Sequence, residues 1–255
     1  MSRRFDADTQ ALKERERVNT EGAIHNLEDW IIAQIKPQAG MKVLDLGCGT
    51  GKQIFTLARH VSPGGSLIGL DISREAVETV NERARRENIR HITAVQGLLD
   101  DSVGQFKSHR FDLIASTYAF YYATDMRQLF AGLRSLLNAH GQIFVCGPAH
   151  GTNREIIEMM NNLLPSRSKR ASSIEDFMGE ADLAAIRQFY SHVVTVRLDN
   201  QIRFLSPESL LQWWRNHNSF IPGILGPMTR AVQLHFKKHQ EFYLSKNVLG
   251  IHCHV

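Results

Sequence analysis

Apolar and polar positions recur along this chain in two rhythms. Short apolar runs lie at Lys42 to Leu46, Ser66 to Asp71, His91 to Gln96, Phe111 to Ser116 and Gln142 to Gly147. Runs of this length, bounded by turn residues, predict buried strands. Between them apolar positions fall at helical spacing. Val77, Val80 and Ala84 share a face behind Ser73, a predicted N-cap. Leu129, Phe130, Leu133 and Leu137 do the same behind Asp125, in a helix expected over Met126 to Asn138 and ended by Gly141. Ile24, Leu27 and Ile31, with Trp30 beside them, predict a leading helix over Gly22 to Ile35. Strands alternating with such helices predict a parallel, doubly wound α/β sheet.

After Pro148 the rhythm changes. Helices are expected at Thr152 to Leu164, Ser173 to Tyr190, Pro207 to Asn216 and Gly226 to Tyr243. His192 to Phe204, rich in β-formers, reads as strand six, and Val248 to Val255 as a final strand. No internal repeat or low-complexity tract is present.

The most specific signal sits at the end of the first strand. Asp45-Leu46-Gly47-Cys48-Gly49-Thr50-Gly51 turns sharply through glycines into a helix beginning near Lys52. Glycine permits positive φ and close approach of a ligand. The helix aims its free N–H groups back into the turn. The spacing is G-x-G-x-G, which differs from the G-x-G-x-x-G of dinucleotide sites. About 20 residues on, the second strand ends in Asp71, where a carboxylate can accept hydrogen bonds from a ribose diol.

These residues resemble class I S-adenosylmethionine-dependent methyltransferases, in particular the small bacterial type 11-like group. Gly69-Leu70-Asp71-Ile72-Ser73, Phe111-Asp112-Leu113-Ile114 and His140-Gly141-Gln142-Ile143-Phe144-Val145 extend the resemblance over roughly residues 40 to 148. It implies a Rossmann-like, doubly wound seven-stranded sheet. It implies S-adenosylmethionine as cofactor, with the backbone at Gly47, Cys48, Gly49 and Gly51 passing its amino acid and ribose portions. Asp71 would take the ribose hydroxyls, and Ile72 would line one adenine face. Asp45 would orient the loop or bind through water. Leu98 and Leu99 would offer backbone groups to adenine, with Asp100 or Asp101 either reaching its amino group or capping the next short helix. Ser116 is implied near the methionine ammonium.

In that family the last two strands form an antiparallel hairpin. Here roughly 40 residues separate them, too many for a hairpin turn. A helical lid at about 206–243 is therefore expected between strands six and seven. The chain reads as one domain over 1–255, with an N-terminal helical cap over 1–39, a cofactor-binding core over 40–150 and the remaining sheet edge over 151–255.

Methyl transfer from a sulfonium depends chiefly on holding nucleophile and methyl in line, so a dedicated base is optional. Tyr118 and His150 are the candidate catalytic residues, the histidine because imidazole is the side chain type most readily tuned to act as a base at neutral pH. Tyr118, Tyr121, Tyr122, Trp213 and Trp214 are candidates for the acceptor pocket, the alternative being that these aromatics complete local cores. A small-molecule acceptor is expected, oxygen ahead of nitrogen. Alternative readings are an RNA methyltransferase and a non-catalytic module that binds the same cofactor.

Composition narrows this further. The 255 residues carry a net charge of +4, with 43% hydrophobic and 22% charged residues. The basic groups Arg83-Ala84-Arg85-Arg86, Arg167-Ser168-Lys169-Arg170 and Lys237-Lys238 are short and dispersed, which disfavours a nucleic-acid partner. Cys48, Cys146 and Cys253 make no disulfide framework. No run reaches the length of a membrane span, and Met1 to Arg17 has no signal-peptide core. A cytoplasmic protein without a membrane partner is expected. His235 and His239 at i, i+4 and His252-Cys253-His254 lack further ligands, so no metal is expected.

Overall fold

The computed structural model describes residues 20–168 and 176–255. The polar N-terminal stretch and the start of the helix expected from Ser173 lie outside them. Strands run over β1 Lys42–Leu46, β2 Ser66–Asp71, β3 Ile92–Gln96, β4 Phe111–Thr117, β5 Leu137–Pro148, β6 His192–Leu198, β7 Gln201–Phe204, β8 Phe242–Ser245 and β9 Val248–His254. The chain folds as two compact units. One holds residues 28–147, 177–196 and 249–255; the other holds, among the described residues, 20–27, 148–168, 176 and 197–248.

The first unit is built on a seven-stranded sheet in the order β3-β2-β1-β4-β5-β9-β6. Val43, Leu44 and Leu46 of β1 are fully buried, as a central parallel strand covered on both faces requires. Asp45 lies opposite Gly69 on one side and Ala115 on the other, both in parallel register. The strand order reverses between β1 and β4, and ligands of open α/β sheets bind outside the carboxyl ends of strands at such a point. The helix Lys52–Val61 follows β1 and buries Ile54, Phe55, Leu57, Ala58 and Val61. The helix Arg74–Arg86 follows β2, capped by Ser73, whose hydroxyl accepts from the Ala76 amide.

Two expectations for this unit are corrected. The helix after Asp125 covers Met126–Leu133 and closes in a single 3-10 turn, Arg134–Leu136. Leu137 already pairs with Phe111, and the Asn138 side-chain Nδ2 donates to Asp112 Oδ1 at 2.6 Å. Sheet pairing thus takes residues that periodicity assigned to the helix. The leading helix covers Leu27–Ile35 only. Its Trp30 meets Phe144 edge-on at 6.0 Å.

The second unit has its own core of Ile156, Met160, Ile202, Phe204, Leu210, Trp213, Trp214, Met228, Val232 and Leu244. The helices Arg154–Leu163, Pro207–Arg215 and Leu225–Lys238 surround it. Strands β7 and β8 pair antiparallel, and Ala23 bridges to Ile202 on β7. The stretch His192 to Phe204 is therefore two strands. It breaks at Asn200, whose Oδ1 accepts from the His25 and Gln201 amides and whose Nδ2 donates to the His25 carbonyl at 2.9 Å. The last helix stops at Lys238, because Phe242–Ser245 joins β7 in a sheet. The expected helices between the last two sheet strands are present, bracketed by this two-stranded sheet.

Candidate functional site

β1 ends in a turn that no ordinary residue can trace. Gly47, Gly49 and Gly51 have φ of 74°, 51° and 94°, in the left-handed region that costs an L-residue roughly 1 kcal/mol or more. At Gly47 space is decisive as well, since an added Cβ would sit 2.1 Å from the Ala119 Cβ. The loop after β4 therefore presses directly on the loop after β1. Tyr118, in that loop, itself has a φ of 54°, and its amide donates to the Cys146 carbonyl at 2.8 Å. A non-glycine residue held there is strained backbone at the carboxyl end of the sheet.

Asp71 organises this end. Its Oδ2 accepts from the Gly49 amide at 2.8 Å and its Oδ1 from the Ser73 amide at 2.9 Å. An ionised carboxylate offers about four lone-pair sites, so capacity is left for ligand hydroxyls. Burial raises the Asp71 pKa, while the Ser73, Gly49 and Ile72 amides pull it back. Beyond it, Ile72 is 54% exposed and Leu98 is 46% exposed. These two apolar side chains, set at the ends of neighbouring strands, suit the faces of a planar heterocycle. Leu99 is half-buried beside Leu98.

Asp45 lies one strand inward and is buried. Among the described residues, its Oδ2 finds no hydrogen-bond partner. Burial first, then the Asp71 charge, pushes its pKa up to about 7. Gln53, in the first turn of the following helix, is also buried with an unpaired Nε2. Buried groups of this kind cost free energy unless a ligand or water meets them. Cys48 is buried in the turn, its thiol pushed well above the usual range by burial and by Asp45 and Asp71.

Other expected residues fare differently. The Ser116 hydroxyl donates to the Leu46 carbonyl at 2.7 Å and is fully buried, so its side chain ties β4 to β1 and is not offered to a ligand. Asp100 accepts from the Thr124 amide and hydroxyl at 2.9 and 2.8 Å, which anchors the loop after β4 to the loop after β3. Asp101 takes the N-cap position of the short helix Ser102–Gln105, without a side-chain cap bond. Tyr121 and Tyr122 meet at a tilt of 53° with ring centroids 4.6 Å apart, and Tyr121 meets Phe177 at 6.2 Å. The Tyr118 phenol is driven above its ordinary value by burial.

His150 is exposed in the second unit. Its amide donates to Asp176 at 2.8 Å and its carbonyl accepts from Asn247 at 3.0 Å. The place of Trp213 and Trp214 in an acceptor pocket is corrected: they are 1% and 0% exposed inside the second unit's core. Trp213 stacks on His217 at 4.5 Å, and Trp214 meets Phe220 at 4.9 Å. Side chains so enclosed line no open pocket. Among the described residues, no group of three or more His, Cys, Asp or Glu side chains is arranged to hold a metal ion. No helix among them is long and apolar enough to cross a membrane.

Three features had weak or no sequence signal. Gln53 stands out as a polar residue on an otherwise apolar helix face. The Asp100–Thr124 clasp joins residues far apart in the chain and has no local signature. The contact of Gly47 with Ala119 is equally non-local.

A family model described as a methyltransferase domain matches residues 37–188. Nocamycin O-methyltransferase of Saccharothrix syringae is 28% identical over 114 residues, 45% of this chain and 40% of that protein. Demethylmenaquinone methyltransferase of Lactobacillus johnsonii is 27% identical over 121 residues, 47% of this chain and 49% of that protein. The chain thus spans half or less of the length of these curated relatives. An S-adenosylmethionine-dependent methyltransferase structure from Aquifex aeolicus matches with a TM-score of 0.55 over 97% of both chains at 11% identity, a likeness of fold. The glycine turn, the acid at the tip of β2 and the unpaired buried Asp45 fit the cofactor of that fold. The chain belongs to the methyltransferase-domain family, and its fold is like that of an S-adenosylmethionine-dependent methyltransferase.

Proposed function

We propose that this protein transfers a methyl group from S-adenosylmethionine to an oxygen of a small-molecule acceptor. The observation that carries the reading is Asp71, which holds the glycine turn open through Gly49 and keeps lone pairs for a diol. When bound, the cofactor supplies an electrophilic methyl on a sulfonium. Asp71 would hold its ribose, and Ile72 and Leu98 would flank its base. Relatives named for O-methylation and for quinone methylation support a small acceptor.

The residues after β4 would serve the acceptor side. Tyr118 keeps its phenolic proton at neutral pH, because burial disfavours phenolate. It suits a hydrogen-bond donor that orients the acceptor better than it suits a base. Tyr121 and Tyr122 offer apolar rings to the same loop surface. Positioning of this kind accounts for catalysis without a base.

Calorimetric titration with S-adenosylmethionine and S-adenosylhomocysteine tests the cofactor reading, followed by a screen of small hydroxylated acceptors for methyl uptake. Binding with turnover on a hydroxyl supports it. Turnover confined to amines overturns the oxygen assignment, and binding without turnover on any acceptor favours a non-catalytic module. Asp71→Ala should weaken cofactor binding by about 2 kcal/mol, roughly thirtyfold, through two lost hydrogen bonds. Unchanged affinity would sink the ribose assignment.

A further inference from the structure

The neighbouring strands β1 and β2 carry two carboxylates with unequal support, Asp45 and Asp71. Asp71 receives two short backbone N–H bonds, from Gly49 and Ser73. Asp45 receives nothing at Oδ2 from the described residues, and it is 1% exposed. Neighbouring like charges that cannot both be solvated share a single ionisation, and the better-compensated partner takes it. Here that partner is Asp71, so Asp45 keeps its proton.

The other ionisable groups around Asp45 reinforce this. From the turn, Cys48 has its thiol pushed well up. From β5, Cys146 is pushed up to about 12 by burial first. Both thiols stay neutral at physiological pH. Among the described residues, the charge that acts on Asp45 is that of Asp71, which repels a second negative charge.

We infer that cofactor binding expels a proton from Asp45, so that this buried acid couples cofactor affinity to pH. The inference rests on the cofactor reading of the same site. S-adenosylmethionine carries a sulfonium and an ammonium against one carboxylate, a net positive charge. Bringing that charge to the end of β1 favours the ionised acid. The O–H bond of the Asp45 carboxyl breaks, its proton leaves to solvent, and the carboxylate remains facing the ligand. Asp45 is thus a positioning residue whose charge appears only in the complex.

Linkage fixes the sign. A group protonated in the free protein and ionised in the complex makes binding tighter as pH rises, and flat once pH exceeds the free-protein value. That value is about 7. Affinity should therefore fall as pH is lowered from 7 to 5.5, by about tenfold or more for a full proton. The α-amino group of the ligand titrates higher, near 8, outside this window.

The test is calorimetric titration of the full chain with S-adenosylmethionine at pH 5.5, 6.3 and 7.0, each in two buffers of different ionisation enthalpy. The buffer dependence of the heat counts protons released. The wild type should release a substantial fraction of one proton near pH 6.3. Asp45→Asn, which keeps the shape and cannot titrate, should release none and bind with affinity constant to about twofold across the range. Pure wild-type protein suffices if that variant does not fold: zero proton release with flat affinity overturns the inference while leaving the cofactor reading intact. Proton release that persists undiminished in folded Asp45→Asn also overturns it, by assigning the proton elsewhere. Failure of well-folded wild type to bind at any pH overturns the cofactor reading itself.

Discussion

A buried carboxyl oxygen without a hydrogen-bond partner costs the folded state free energy. Asp45 makes this measurable. Its folded-state value of about 7 lies above the unfolded value near 3.8. Such a raised acid binds a proton on folding, so stability falls as pH rises through that interval. Asp45→Asn removes the titration and should stabilise the cofactor-free protein at pH 7, on the order of 3 kcal/mol, with a smaller gain at pH 5. Urea unfolding at the two pH values reads this directly, and equal stability in both proteins would contradict it. Gly47 sits at the opposite extreme, where backbone geometry leaves no alternative. Gly47→Ala combines a φ of 74° with a Cβ placed 2.1 Å from Ala119. It should destabilise by about 2–4 kcal/mol, seen as a lower thermal midpoint. Both positions were conspicuous in the sequence as parts of one motif. Their energetics were not, because the burial of Asp45 and the approach of Ala119 come from strands distant in the chain.

At the scale of elements, the edge of the large sheet carries a histidine cluster. His252 on β9 contacts the Gln142 side-chain oxygen on β5, and its ring lies 4.3 Å from that of His254. His192 on β6 lies 6.0 Å from His254. Burial first, then the other two imidazoles, lowers the His252 pKa to about 4. Its unfolded value is about 6.5. A depressed histidine is neutral when folded, so acid favours the unfolded chain, and stability is lost progressively from about pH 6.5 down to 4. His252→Gln should keep a larger share of its pH 7 stability at pH 5 than the wild type does, measured as the shift in urea midpoint. An identical relative loss would show that another group governs acid unfolding. His252 and His254 share one face of β9, as residues two apart on a strand do. That His192 joins them follows from the adjacency of β9 and β6, and pairing partners cannot be read from period-2 alternation.

At the scale of the molecule, ligand binding and folding share one free-energy scale. A site with orphaned groups at Asp45 and Gln53 gains most when it is filled. Cofactor at about one hundred times its dissociation constant should stabilise the native state by about 2.7 kcal/mol, so S-adenosylhomocysteine should raise the thermal midpoint by a few degrees. No shift at saturating concentration would contradict binding to the native state. Strands β1 to β5, the glycine turn and the acid at Asp71 were legible before any coordinates, because each rests on local signals: apolar period, cap chemistry and the positive φ that glycine supplies. The helix end at Leu133, the break of His192–Phe204 at Asn200 and the strand at Phe242–Ser245 were not legible. In each, a partner distant in the chain overrides the local pattern: Phe111 for Leu137, His25 for Asn200, β7 for β8. The tryptophans show the same limit. Their helical spacing marks them as apolar-facing, but whether that face meets a ligand or a core depends on the other elements of their unit. Here helices and the β7–β8 pair enclose them. Local chemistry specified the glycine turn and the acid at the tip of β2; long-range packing settled which aromatics are interior and how deeply each carboxylate is buried, because burial exists only once the chain has folded.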